Sequence, residues 1–215
     1  MSYSVKEMYL TIQGEGGQTG LPAIFLRFSG CNLWSGLERD RESAVCKFCD
    51  TDFVGTNGPG GGKFKTPKAL VERLLEYWPE DQPNKWIVAT GGEPLLQLDA
   101  LLITALHDAD FKVAVESNGT IKAPEGIDWL CVSPKANAEI VQKSGHELKL
   151  VYPQVENAPE DFLDMDFMRF SLQPKDDSLS APEKNAAHIK ATVQYCLEHP
   201  QWCLSLQTHK MIGID

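Results

Sequence analysis

The sequence predicts an α/β fold on a mainly parallel sheet, and three observations predict it. Short apolar runs alternate with helically spaced apolar residues, the pattern of successive βα units. Polar or glycine-rich turns follow several of those runs, at the strand ends where parallel α/β barrels build their sites. The 215 residues are ample to bury a core. They fall short of the roughly 250 typical of a complete eight-unit barrel.

Strand-like runs fall at residues 5–11, 23–29, 86–90, 112–116, 129–133, 147–152, 168–173 and 203–207. Leu70, Val71, Leu74, Leu75 and Trp78 have helical spacing, with Thr66 placed to cap and Pro67 at the first helical position. A second helical set is Leu95, Leu98, Leu102, Leu106 and Ala109. A third is Ala186, Ile189, Val193 and Leu197, opened by Pro182 and stopped by Pro200. Residues 32–45 and 50–65 carry neither pattern, and unpatterned segments of that length inside a compact domain are usually functional or disordered. The stretch GTNGPGGG at 55–62 is a flexible loop too short to link domains, so residues 1–215 are expected to form one domain.

Thirty acidic against 20 basic side chains leave a net charge of −10. That balance argues against nucleic acid as a partner, because phosphate neutralisation needs a clustered basic patch. The longest apolar run, 100–106, is far shorter than a membrane span. Lys6 and Glu7 stand where an export signal would be apolar, so a cytoplasmic location is expected, with its six cysteines as reduced thiols.

Three of those thiols cluster. Cys31 follows a strand through Gly30, 14 residues separate it from Cys46, and Cys49 closes a C-x2-C pair. Spacing alone leaves three readings open. Structural zinc needs a fourth Cys or His, and no histidine lies between Cys31 and Cys49, so a remote one such as His209 would be required. A thioredoxin-like pair leaves Cys31 unexplained. An iron–sulfur cluster on three thiolates leaves one iron open to bind a small molecule.

The residues around these thiols add a resemblance. Cys46-x-Phe48-Cys49 resembles the cluster motif of the radical S-adenosylmethionine (SAM) superfamily, and Gly91-Gly92-Glu93-Pro94 resembles its segment that meets the methionine amine. Gln13-Gly14-Glu15-Gly16, Arg27-Phe28-x-Gly30-Cys31-Asn32, Phe48-Cys49-Asp50-Thr51, Glu116-Ser117-Asn118-Gly119, Ser133-Pro134-Lys135 and Gln207-Thr208-His209-Lys210 follow in the order of the 7-carboxy-7-deazaguanine synthase family. The 14-residue spacing, against the usual three, resembles one bacterial subgroup of that family.

The resemblance implies a partial parallel α/β barrel of the radical SAM type, with about six core strands and fewer helices than a full barrel. It implies a carbon–nitrogen lyase that contracts 6-carboxy-5,6,7,8-tetrahydropterin to 7-carboxy-7-deazaguanine with loss of ammonia, on the way to queuosine and related deazapurines. Cys31, Cys46 and Cys49 would bind a 4Fe-4S cluster whose open iron chelates SAM, giving a 5′-deoxyadenosyl radical. SAM contacts are implied for Phe48, Cys49, Asp50, Gly92, Glu116, Ser133, Pro134, Lys135, Gln173, Pro174, Lys175 and Asp176, and a Mg²⁺ contact for Thr51. Substrate contacts are implied for Ile12, Gln13, Gly14, Glu15, Arg27, Thr90, His209 and the terminal Asp215. A homodimer and an electron donor such as flavodoxin are the implied partners.

Plainer roles exist for several of these residues. Arg27, inside an apolar strand, could pair with a buried acid; Thr51 could cap a loop; Glu93 could be a turn residue; His209 could be a surface histidine. Cys131, Cys196 and Cys203 read as buried thiols, and Met165 and Met168 as packing. Two rival functions are a glycyl-radical activase, which leaves Gln13, Glu15 and Arg27 without a task, and a zinc-binding interaction module. The charged centre of the insertion, 38–42, reads as a short helix that docks a reductase or as a solvated face.

Overall fold

The computed structural model describes residues 2–47, 49–154, 156–177 and 181–214. The chain opens with β1 (Tyr3–Ile12) and folds back into β2 (Pro22–Phe28) as an antiparallel hairpin. β3 (Gly62–Phe64) pairs with the free edge of β1, and α1 (Pro67–Leu75) leads into β4 (Lys85–Gly91) beside β2. There follow α2 (Ala100–Asp108), β5 (Phe111–Ser117), β6 (Trp129–Val132), β7 (Ser144–Tyr152), β8 (Asp166–Pro174), α3 (Pro182–Glu198), β9 (Trp202–Leu204) and α4 (Thr208–Ile212).

These strands make one sheet in the order β3-β1-β2-β4-β5-β6-β7-β8-β9, and every pairing from β2 to β9 is parallel. β3 and β9 do not meet, so the barrel stays open. Six strands, β2 and β4 to β8, form the parallel core, and the three-residue β9 extends it. Among the described residues α1, α2 and α3 are the crossover helices, while the connections from β5 through β8 contain no α-helix. That economy is how 215 residues hold this sheet.

Side chains alternate across the sheet with period two. Ile24, Leu26, Ile87, Val113, Leu130, Leu148 and Leu172 point to the helix-covered face, where Leu70, Leu74, Leu102 and Leu106 complete one buried core. The other parity begins with small or aromatic side chains: Ala23, Val88 and Ala114, with Phe25, Trp86 and Trp129 packed on them. Further along the same strands that parity carries Arg27, Glu116, Glu147 and Lys149. Apolar residues, small and aromatic, fill one end of this face, and charge lines the other.

Some elements depart from the sequence reading. Thr66 caps α1, its hydroxyl accepting from Ala69 N at 3.2 Å. The helical set starting at Leu95 divides into a 3-10 turn, Pro94–Leu96, and α2, which Asp99 caps by accepting from Leu102 N. Residues 205–207 leave the sheet after Ser205 N donates to Leu172 O, because Ser205 and Gln207 turn to the site. Cys131 is fully buried as expected, whereas Cys196 and Cys203 are only partly covered and Met168 is exposed. Residues 38–42 begin a 3-10 turn, Glu38–Ser43.

Candidate active site

A cleft of about 860 Å³ opens over the C-terminal ends of the parallel strands. Among the sequence-predicted residues it is lined by Ile12, Gln13, Gly14 and Glu15 from the β1–β2 turn, Arg27 from β2, and Cys46, Cys49, Asp50 and Thr51 from the cysteine loop. Thr90 and Gly92 after β4, Glu116 on β5, and Ser133 and Lys135 after β6 continue it. Gln173, Pro174, Lys175 and Asp176 at the end of β8 and His209 on α4 close it. Cys31 and Pro134 do not line it, and Phe48 and Asp215 lie outside the described residues.

Cys31 sits directly behind the Gly-Gly turn. A Cβ on Gly92 would collide with Gly30 O and would reach 2.6 Å from Cys31 Cβ, and one on Gly91, at φ 136°, would collide with Phe28 O. Glycine is therefore required where β4 ends against the strand that delivers Cys31. Glu93 N donates to Gly30 O at 3.0 Å and completes this junction.

Glu93 is more than a turn residue. Fully buried, its carboxylate accepts from Leu95 N at 3.0 Å, Ser117 Oγ at 3.0 Å and Asn118 N at 2.7 Å. Asn118 Nδ2 passes the linkage to Asn32 Oδ1 at 3.0 Å, next to Cys31. Burial pushes the Glu93 carboxyl upward, and the donated hydrogen bonds pull against that shift. It ties the ends of β4 and β5 to the start of the cysteine loop.

A second polar group holds the β1–β2 turn over the barrel mouth. Lys149 Nζ, almost wholly buried, lies 2.7 Å from Glu15 Oε2 and 3.0 Å from Glu116 Oε2. Gln207 donates to Glu15 Oε1 at 2.8 Å, and Glu147 accepts from Gly17 N at 2.8 Å and from Ser171 Oγ at 2.5 Å. Burial alone would raise Glu15, but Lys149, Gln207 and His209 outweigh it and bring its pKa to about 2. Glu116 goes the other way. Its burial is the largest cause, opposed by Lys149 and reinforced by Glu15 and Glu147, so its carboxyl is raised. One lysine thus pairs with two carboxyl groups whose pKa values folding shifts in opposite directions.

Arg27 combines both roles considered for it. Its Nε pairs with Glu7 Oε1 at 2.8 Å and its Nη2 donates to Tyr9 OH at 3.2 Å, yet it lines the cleft. Glu7 at Nε and Tyr9 at Nη2 hold the guanidinium in place on the cleft wall. His209 packs against Gly14, where any Cβ would collide with its ring. Lys135 Nζ donates to Ser133 Oγ at 2.7 Å, and Lys210 bridges Asp176 at 2.5 Å and Asp50 at 3.6 Å.

The sequence reading gave no site role to Lys149 or Glu7, and named Gln207 and Lys210 only as members of the Gln207-Thr208-His209-Lys210 motif. A signal existed for the first: Glu147 and Lys149 alternate with Leu148 and Leu150, which places both charges on the face opposite the apolar core. The other three pair across the fold, where linear spacing carries no sign of them.

Three thiols are a donor set that would suit an iron–sulfur cluster, whose irons thiolates hold. Burial pushes the Cys31 thiol up, and Glu93 and Cys49 are near enough to add to that. Cys46 and Cys49 face the cleft. Among the described residues no three His, Cys, Asp or Glu side chains converge on one ion position. A 4Fe-4S cluster needs no such convergence, since each thiolate takes its own iron. Gly91 and Gly92 line the same cleft.

An open parallel barrel whose strand ends meet a C-x2-C loop and a Gly-Gly-Glu turn is the build of a radical SAM enzyme. The chain is 58% identical over 214 residues, the full length of both, to the 7-carboxy-7-deazaguanine synthase of Caulobacter vibrioides. It is 56% identical to that of Bordetella pertussis and 36% to that of Bacteroides thetaiotaomicron, again over all of each chain. The crystal structure of QueE from Escherichia coli superposes with a TM-score of 0.71 at 24% identity, covering 96% of this chain and 94% of that one, and shares the fold. No family model matches. The chain belongs to the 7-carboxy-7-deazaguanine synthase family.

Proposed function

We propose that this protein converts 6-carboxy-5,6,7,8-tetrahydropterin to 7-carboxy-7-deazaguanine with release of ammonia, by SAM-dependent radical ring contraction. One observation carries the reading: a single cleft brings Cys46, Cys49 and Gly92 together with Gln13, Glu15, Arg27, Thr90 and His209. Cluster-side and substrate-side residues share one cavity, as direct hydrogen transfer requires.

Cys31, Cys46 and Cys49 would hold the 4Fe-4S cluster, and the Gly92 backbone, which lines the cleft, would meet the methionine end of SAM. Phe48, Cys49, Asp50, Glu116, Ser133, Pro134, Lys135 and the 173–176 turn would hold its adenine, ribose and carboxylate. When bound, cluster and SAM supply the 5′-deoxyadenosyl radical that takes hydrogen from C6 of the pterin. The chain's task is to orient that carbon and exclude other hydrogen donors. Ile12, Gln13, Gly14 and the ionised Glu15 face the pterin's donor and acceptor edge. Arg27 offers its outer edge to the pterin carboxylate. Thr51 and substrate oxygens would hold Mg²⁺, a cation that takes oxygen ligands, and Thr90, His209 and Asp215 complete the substrate side. The working form in this reading is a cytoplasmic homodimer of one-domain chains, reduced by a flavodoxin-like donor. Among the described residues no helix is long and apolar enough to cross a membrane.

Anaerobic reconstitution with iron and sulfide tests the proposal. A brown protein that turns over the carboxypterin with SAM supports it; a colourless protein holding one tight zinc sinks it. Arg27→Ala should lower kcat/KM about 10- to 100-fold, the worth of a charge-assisted hydrogen bond, mainly through KM for the pterin. Unchanged turnover would show the substrate carboxylate lies elsewhere.

A further inference from the structure

The 14-residue insertion carries one side chain that leaves the solvated face to hold the cysteine loop. Arg41 is among the less exposed charges of its 3-10 turn, with 28% of the side chain accessible. Its Nε lies 2.8 Å from both Glu38 oxygens. Its Nη1 donates to Lys47 O at 2.9 Å and Cys49 O at 3.1 Å, the carbonyls on either side of position 48. Its Cζ lies 4.1 Å from the centroid of the Trp34 ring. Trp34, itself buried, meets the buried ring of Phe53 edge-on at 5.6 Å, and Phe53 O accepts from Gly30 N at 3.2 Å. The guanidinium therefore joins the chain just after Cys31 to the backbone of the C-x2-C pair.

We propose that Arg41 is the positioning residue of the cluster loop: with Nε clamped by Glu38 and its flat face on Trp34, its Nη1 fixes the Lys47 and Cys49 carbonyls and so the placement of the C-x2-C pair. The inference rests on the cluster reading above. Lysine cannot replace it: an ammonium keeps the charge but has neither the rigid fork nor the flat face that stacks on Trp34. In this chain the insertion supplies its own brace for the segment it lengthens.

The test compares wild type, Arg41→Lys, Arg41→Gln and Glu38→Gln as reconstituted full-length chains. Outer partners that orient metal ligands are typically worth 10- to 100-fold in metal affinity or activity. Both Arg41 variants should therefore lose iron to a ferrous chelator about tenfold faster or more. KM for SAM should rise while KM for the pterin holds, and amides 44–47 should exchange faster in the apo chain. Glu38→Gln, which loosens only the outer clamp, should fall between them and wild type. An Arg41→Lys protein matching wild type in chelation, KM for SAM and exchange would overturn the fork. So would a Gln variant that binds SAM normally. Wild type taking up no cluster would sink the functional reading as well; a stable wild-type cluster with unaltered variants would sink this inference alone.

Discussion

One wall of the cleft is strand-borne: Glu116 on β5 and Lys149 on β7 hold Glu15 over the barrel mouth through buried charges. Another wall is residues 31–57, which among the described residues contain no strand or α-helix; side chains donating to backbone carbonyls brace it, Lys6 from β1 to Val54 and Arg41 within the segment to Lys47 and Cys49. The strand wall cannot relax, because moving any member leaves a charge unpaired out of water. The loop wall is held by separate bonds, each worth about 1 kcal/mol net, and can settle around a ligand. In the proposed reading, substrate discrimination suits the first wall and cluster assembly the second.

The largest effect should come from the strand wall. Lys149→Met would leave Glu15 and Glu116 without their cation, and losing one partner of a buried pair costs about 3–5 kcal/mol. Acid unfolding of the apo chain checks the cause. Glu15 falls from 4.5 to about 2 on folding. Its contribution is therefore complete above pH 4.5 and is lost as pH falls through 4.5 towards 2. Since Lys149 produces most of that lowering, the stability gap between wild type and variant should narrow across this window. A gap that stays constant would mean the lysine acts by packing alone.

A middle-sized effect should appear where the two walls join. Gly92→Ala puts a Cβ against Gly30 O and Cys31 Cβ, and overpacking of this kind costs about 1–3 kcal/mol. Gly91→Ala should cost more, since it meets backbone at Phe28 as well as an unfavourable φ of 136°. Thermal melts rank the two. Gly92→Ala should lower cluster occupancy more than its loss of stability alone explains, because the displaced Cys31 is a ligand in the proposed reading. Equal occupancy at equal stability would detach the Gly-Gly turn from the cysteine it packs against.

The same division decided what the sequence disclosed. The parallel strands were legible because each side of a strand has its own chemistry: Ile24, Leu26 and Phe28 run apolar, while Arg27 stands out against them. The cysteines and the Gly-Gly-Glu turn were legible because their chemistry is local. Lys149 with Glu15 was not, since the pair spans 134 positions and depends on strand order. β3 was hidden because its edge pairing starts in a glycine run that reads as loop. α4, only five residues long, is too short to display a helical period. The insertion read as a charged surface because Arg41 finds backbone carbonyls, and a carbonyl has no letter in the sequence.

The smallest effect sharpens the account of the loop wall. Lys6 on β1, 8% exposed, donates to Val54 O at 2.9 Å and Asn57 Oδ1 at 3.0 Å and also pairs with Asp52 at 2.7 Å. Asp52 is 71% exposed, so its charge is screened by water. Its pKa is lowered by the Lys6 hydrogen bond first and by Val54 N second. Asp52→Asn should therefore cost under about 1 kcal/mol, the range of exposed ion pairs. Lys6→Met should cost about 1–3 kcal/mol, because Val54 O loses its donor in a part-buried place, and it should speed amide exchange in 52–57. If the two substitutions cost the same, the loop is held by charge, and the bracing by carbonyl bonds assigned to Lys6 and Arg41 alike fails at this end. If only Lys6→Met matters, the loop is pinned at both ends by basic side chains that use their hydrogens rather than their charge.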